Sequence, residues 1–437
     1  MISKSILGTI IKDQLKEFEG LKDTVPRTVF SKMISYQGSS AVVIKGVRRC
    51  GKSTLLKQLI TSRHPKDFWY FNFDDERLTG FTSEDFQSLI ETMLELFGKK
   101  KYLCLDEIQN IHGWELFINR MLRQGYQVFI TGSNAHLLSR ELGTHLTGRH
   151  IDIELHPFSF LEYLNAHNIK ISTKGIYSTE EKALLSKYFK KYLVQGGMPE
   201  AIVFSNEAIL TQVVNDILQR DIVNRYNIRK PLELKIVLKF LITNTANPIT
   251  YRSIRNNFKI QSANTIQKYI EYAEETYLIF TVRRYEKKIK KFDKNPKKIY
   301  CVDNGIITKT SPIMHELQGA LLENLVALHL KRLGKEFYYY KGRNDAECDF
   351  IVPSEKQVLQ VCYQLRDDNK EREIKGLLEA LDLLSAKKGY MLTLDQEDQI
   401  VRKNKNIIIQ PVWQWLLEND TNIRNTKKSI KAKNRPY

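Results

Sequence analysis

The segment Gly46-Val47-Arg48-Arg49-Cys50-Gly51-Lys52-Ser53 constrains this chain more than any other stretch. It satisfies GxxxxGK[ST] at every position, follows the apolar run 41–45, and opens an apolar-periodic stretch from Lys52 to about Ile60. Strand, glycine loop and helix in that order are what the pattern requires. The glycines let successive backbone N–H groups curl toward phosphate oxygens, and the helix N-terminus adds its positive end. On that geometry Gly46, Val47, Arg48, Arg49, Cys50, Gly51, Lys52, Ser53 and Thr54 cradle a nucleotide's phosphates. Lys52 reaches the β- and γ-phosphates, and the Ser53 hydroxyl holds Mg²⁺. A chance glycine turn is the competing reading, and the flanking strand and helix disfavour it. Cys50 reads as an ordinary buried thiol rather than a redox group.

A nucleotide site needs an acidic partner on another strand. Tyr102-Leu103-Cys104-Leu105-Asp106-Glu107 is an apolar run ending in two carboxylates, placed after an intervening strand at 68–73. Asp106 orients the Mg²⁺ shell, and Glu107 polarises water for in-line attack on the γ-phosphate. A further run, 128–131, ends in Gly132-Ser133-Asn134. Its end falls between the other two strand ends, so Ser133 or Asn134 is expected to sense the γ-phosphate. Arg140 and Arg149 follow, and Arg149 is a candidate finger, in cis or from a neighbouring subunit. The acids in 72–77 read as a solvated strand end.

Strands alternating with helices at 86–97 and 114–122 predict a parallel α/β sheet. Helical patterning follows at 160–166, 180–193 and 209–226, interrupted by a loop with Gly196, Gly197 and Pro199. No window approaches 18 consecutive apolar residues, which excludes an ordinary membrane-spanning helix. Lys12 and Asp13 interrupt the N-terminus before a secretory apolar core can form. Five scattered cysteines without a CxxC pair argue against a disulfide framework or a zinc site. A cytoplasmic protein is the expectation.

The net charge is +18, and it is localised. Residues 40–165 are neutral, whereas 231–300 carry +9 and 421–437 carry +6. Within 231–300, apolar spacing predicts three helices, the third opening at Ser262, and then an extended run and a strand at 299–302. Three helices and a hairpin make a winged helix-turn-helix. Its wing, 283–298, holds nine Lys/Arg against Glu286 and Asp293. Arg283, Arg284, Lys287 and Lys288 would contact nucleic-acid phosphates, while Asn264, Gln267 and Lys268 on the third helix would face bases. Glu271, Glu274 and Glu275 make that helix's end acidic, which equally suits a protein-docking module.

The last region sets Glu323 on a helix, Asp349 on a strand and Gln360 on the next strand. Helix Glu, strand Asp and then E-x-K is the restriction-endonuclease-like layout, in which carboxylates hold Mg²⁺ and lysine activates water. Here Gln360 replaces the second carboxylate and Cys362 replaces the lysine, with Lys341 a conceivable substitute. The reading is a nuclease-like fold with a degraded site.

The phosphate loop GVRRCGKST, LDEIQ, TGSNAHLLS, GRH and HPFSFLEYL resemble bacterial and archaeal AAA-type ATPases with an uncharacterised C-terminal domain. YLVQGGMPEAI, LLENLVALHL and ECDFIV extend the resemblance over nearly the whole chain. It implies ATP and Mg²⁺ as cofactors, the roles above for Lys52, Ser53, Asp106 and Glu107, a sensor segment at Ser133 and Asn134, and Arg149 in the GR pair. The expected fold class is α/β. A P-loop parallel-sheet ATPase domain occupies 1–165, a helical connector 166–230, a winged helix-turn-helix 231–300, a C-terminal nuclease-like domain 301–420 and a basic tail 421–437. Three functions follow: an ATP-driven switch on a nucleic acid, an ATP-gated nuclease, or a signalling ATPase that binds only protein.

Overall fold

The computed structural model describes residues 2–21, 25–29, 40–62, 64–134, 149–171, 176–286, 295–311, 317–342 and 346–420. Arg140, Lys287, Lys288 and the basic tail lie outside the described residues. The chain forms two compact units, one up to His156 together with 275–277, the other from Pro157 onward without those three residues.

The first unit is built on five parallel strands: β1 (Ala41–Lys45), β2 (Phe68–Asn72), β3 (Tyr102–Asp106), β4 (Gln127–Gly132) and β5 (His150–Glu154), in the order β2-β3-β4-β1-β5. The central strands are near-continuous apolar runs because a parallel sheet is covered on both faces. Helices α1 (Lys4–Gly20), α2 (Lys52–Thr61), α3 (Phe86–Phe97) and α4 (Trp114–Arg123) provide the cover. Trp69, Phe71, Phe86 and Phe117 lie in the core, the last two stacked at 4.1 Å between ring centres. Each such side chain contributes about 1.5–3 kcal/mol on burial.

In this unit helix α1 and strand β5 have no counterpart in the sequence reading. Helix α1 buries Leu7, Ile10, Ile11 and Phe18, and Phe18 stacks on Tyr70. Strand β5, His-Ile-Asp-Ile-Glu, alternates and stays half exposed because it is the sheet's edge. The acids after β2 are structural: Asp75 caps a short turn and pairs with Arg77, whose guanidinium also holds Asp13 at 2.7 Å.

The second unit begins with α5 (Phe160–Ala166), α6 (Thr179–Gln195), α7 (Pro199–Val203) and α8 (Ala208–Asp216), the last running into a π-helix at Ile217–Asn224. Next come α9 (Pro231–Thr243), β6 (Pro248–Ile249), α10 (Tyr251–Phe258), α11 (Ala263–Glu275), β7 (Ile279–Val282) and β8 (Lys297–Cys301). The strands form an antiparallel sheet ordered β6-β8-β7. Helices α12 (Asn304–Thr310) and α13 (Gln318–Arg332) lead into a six-stranded mixed sheet. Its strands are β9 (Tyr338–Lys341), β10 (Glu347–Val352), β11 (Gln357–Val361), β12 (Lys388–Thr393), β13 (Asp398–Arg402) and β14 (Lys405–Pro411). Their order is β13-β14-β12-β11-β10-β9, with α14 (Asp367–Leu383) packed against it.

The Gly196-Gly197 loop owes its composition to Asp303. The buried Asp303 carboxylate accepts the Gly197 N–H at 2.6 Å and caps α12 through the Ile306 N–H. A β-carbon on Gly196, whose φ is 73°, would lie 2.2 Å from that carboxylate. Burial raises the Asp303 pKa to about 6. Beside it, Asn324 on α13 donates to Cys301 and Asn304, each at 2.9 Å, completing a buried polar network. No helix among the described residues is long and apolar enough to cross a membrane, and all five cysteines are free and buried.

Candidate functional site

The order β3-β4-β1 brings three strand ends together at the carboxyl edge of the first sheet. The loop between β1 and α2 wraps this edge. Gly51 starts α2 in the left-handed region at φ 93°, and a β-carbon on Gly46 would lie 2.2 Å from the Leu155 carbonyl oxygen. Both glycines are therefore required by the backbone path. The loop is also held from below by Arg27, a buried residue absent from the sequence reading, which donates to the carbonyls of Cys50 and His156. Burial pushes the Cys50 thiol pKa up, as expected of an inert thiol.

Lys52 is 5% exposed, and its ammonium lies 3.3 Å from a Glu107 carboxylate oxygen and 3.3 Å from the Gly46 carbonyl. Burial opposes charge on both partners. Glu107 nevertheless holds Lys52 above its ordinary value, and Lys52 holds Glu107 below its own. Glu107 also accepts from Gln109 at 2.5 Å and from the Ser133 hydroxyl at 3.1 Å. Its backbone is left-handed, with φ 51° and ψ 40°, a conformation that strains a non-glycine residue and turns the carboxylate back toward the loop.

Asp106 accepts from Tyr70 at 3.0 Å, from Thr131 and from the Ser53 side chain. Burial and the Glu107 charge raise its pKa. Ser53 and Asp106 are thus in contact, presenting the hard oxygen donors that suit Mg²⁺. The structure adds Thr131, whose hydroxyl donates to Asp106 while accepting the Glu107 backbone N–H at 3.1 Å. A threonine near the end of an apolar strand reads as a strand former, so its polar role gave no sequence signal. Asn134 is fully buried one residue beyond Ser133.

Arg149 corrects an expectation. Its carbonyl accepts from the Ala41 N–H, and His150 pairs with Ala41, which puts it at the amino end of β5 and β1. The phosphate loop leaves the opposite end, about 16 Å away along five strand residues. An arginine side chain does not span that distance, so Arg149 is no finger for its own subunit's site.

In the second unit Asn264, Gln267 and Lys268 are exposed together on α11, and Gln267 donates to Glu271 at 2.8 Å. Arg252 and Arg255 of α10, and Lys259 just after it, are exposed as well. The expected free wing is partly tied down. Tyr285 donates to the Tyr339 carbonyl at 2.8 Å, Tyr339 donates to the Arg283 carbonyl, and the Arg284 guanidinium donates to the Lys341 carbonyl. Arg283 is exposed while Arg284 is half-buried against β9.

Glu323, Asp349 and Gln360 do come together, around a residue counted in the sequence as part of the wing. Lys298 is 3% exposed, and its ammonium contacts Glu347 at 2.7 Å, Asp349 at 3.0 Å and Glu323 at 3.1 Å. Burial would lower its pKa, but Glu323, Asp349 and Glu347 hold it well above the ordinary lysine value. Burial and the Asp349 charge push Glu323 up to about 8. Gln360 accepts from the Asp349 N–H at 3.2 Å and donates to Glu373 at 2.7 Å. Lys341 is exposed, and Cys362 has its thiol raised to about 11 by burial, so neither supplies the cation; Lys298 does.

Residues 38–164 match the AAA domain family, and 186–316 and 318–415 each match a domain of unknown function. An uncharacterized protein of Methanocaldococcus jannaschii is 35% identical over 437 residues, covering 95% of this chain and 96% of that one. An uncharacterized protein of Haemophilus influenzae is 31% identical over 349 residues, covering 76% and 84%. Among solved structures, Cdc6p from Pyrobaculum aerophilum is similar with a TM-score of 0.27 and 15% identity, over 71% of this chain and 98% of that one. AMPPCP-bound DnaA from Aquifex aeolicus is similar with a TM-score of 0.25 and 16% identity, over 56% and 86%. Likeness at that level carries no inference about function.

Proposed function

The chain belongs to the family of AAA-domain proteins that includes these archaeal and Haemophilus relatives, and we propose that it is a Mg²⁺-dependent ATPase working as a switch on a nucleic acid. The observation that carries this is the convergence of Lys52, Ser53, Asp106, Glu107 and Ser133 at one sheet edge. The loop's inward N–H groups and Lys52 bind the triphosphate. A γ-phosphate competes with Glu107 for the Lys52 ammonium. Glu107 stays ionised at neutral pH, since its pKa is depressed, and polarises water for attack. Mg²⁺, when bound by Ser53 and Asp106, neutralises charge developing on the phosphate oxygens. In this reading Ser133, which donates to Glu107, and the buried Asn134 are the sensor residues.

We read α9 to α11 with β6 to β8 as a winged helix. The exposed cations of α10 and α11 favour a polyanion over a protein partner. The test is ATP turnover by full-length protein with and without duplex DNA, at two salt concentrations. Salt-sensitive DNA binding that changes turnover is expected. DNA that neither binds nor alters turnover at low salt leaves the protein-only reading in its place.

A further inference from the structure

We propose that the Lys298 ammonium stands where a nuclease-like fold would place its divalent cation, so that the C-terminal sheet holds no metal there and carries no metal-dependent nuclease chemistry. A lysine ammonium has three N–H donors. Here Glu323, Glu347 and Asp349 each place an oxygen 2.7 to 3.1 Å from it, and Glu323 and Asp349 accept its hydrogen bonds. A magnesium ion needs oxygen ligands at about 2.0–2.1 Å around its own centre. That centre is filled by nitrogen. Two of these carboxylates make further bonds, and the Glu323 oxygen that Tyr300 reaches is the one already facing Lys298. The second Asp349 oxygen accepts the Val361 N–H at 3.0 Å, and Tyr300 donates to Glu323 at 2.7 Å. Gln360, the position a metal-binding carboxylate would hold, spends its carbonyl on the Asp349 N–H and its amide on Glu373. Among the described residues no group of three His, Cys, Asp or Glu is arranged to hold a metal.

The lysine does a second thing. It enters from β8, while its partners sit on α13 and β10, so one buried cation fastens the small antiparallel sheet to the terminal sheet. Removing a single partner from such a cluster leaves uncompensated buried charge.

The test is Mn²⁺ binding by full-length protein without nucleotide, with bound ion counted by electron paramagnetic resonance. Wild type and Lys298→Met are compared, each with and without Asp349→Asn. Wild type is expected to hold no Asp349-dependent ion at millimolar Mn²⁺, while Lys298→Met gains one ion per chain that Asp349→Asn abolishes. If Lys298→Met folds only with metal, its melt is followed instead. Mn²⁺ should restore a cooperative transition, and should fail to do so in Lys298→Met/Asp349→Asn. An Asp349-dependent ion in wild type overturns the proposal. So does a folded Lys298→Met without the ion, or an unfolded one that Mn²⁺ does not rescue. ATP turnover is not the readout, so this outcome is separate from that of the ATPase reading.

Discussion

The Thr131 hydroxyl accepts the Glu107 backbone N–H at 3.1 Å and donates its own proton to the Asp106 carboxylate. One oxygen on β4 therefore sets the positions of both acidic residues at the end of β3. Thr131→Val keeps the shape and deletes the link, leaving a buried N–H without its acceptor, a penalty of about 1–3 kcal/mol. The expected outcome is kcat lowered about 10- to 100-fold with nucleotide affinity little changed, and recovery in Thr131→Ser. Equal loss of affinity and kcat, measured by nucleotide titration and turnover, would count against a positioning role.

Lys52 and Glu107 face each other but should fail differently. Lys52→Ala removes the cation that meets the phosphates, and nucleotide affinity should collapse. Glu107→Gln should hold ATP and lose at least about 100-fold in turnover, the usual scale for a lost general base. Fluorescent-nucleotide binding beside phosphate release separates the two. Normal turnover in Glu107→Gln would remove it from the catalytic role.

The buried Asp303 makes stability depend on pH in an unusual direction. Its pKa is raised from 3.8 to about 6, so its protonated form is favoured in the folded state. Its contribution is present below about pH 4 and is lost as pH rises through about 6, on the order of 3 kcal/mol at full effect. Asp303→Asn should flatten that portion of the curve, whatever its absolute stability. Urea melts between about pH 4 and pH 7 measure this, and identical slopes in both proteins would refute it.

The exposed cations of α10 and α11 give a quantitative expectation. Reversing Arg252 and Lys268 to Glu should weaken duplex binding at low salt and reduce the slope of log affinity against log salt by about 2. Anisotropy titrations over a salt series provide the check. Binding that is unaffected would move the contact surface elsewhere.

The phosphate loop, the β3 carboxylates and the end of β4 were legible in the sequence because each is a local strand-to-loop pattern. The three helices from Pro231 to Glu275 were legible through apolar spacing. What stayed hidden depends on pairing across distance. Arg149 reads as a candidate finger, and only the register of Ala41 with His150 puts it at the far end of the sheet from its own subunit's phosphate loop. Lys298 looked like one more cation in a basic run, because its burial is decided by Glu323, Glu347 and Asp349, which come later in the chain. Helix α1 and strand β5 are amphipathic edge elements whose weak patterns mean little without the surface they cover.

The burial of every cysteine gives the protein an internal clock. Cys50 and Cys104 belong to the first unit, and Cys301, Cys348 and Cys362 to the second. A thiol reagent in native buffer would reach them only when their surroundings open. Two reaction phases would then time the breathing of the first and of the second unit separately, in one unmodified sample.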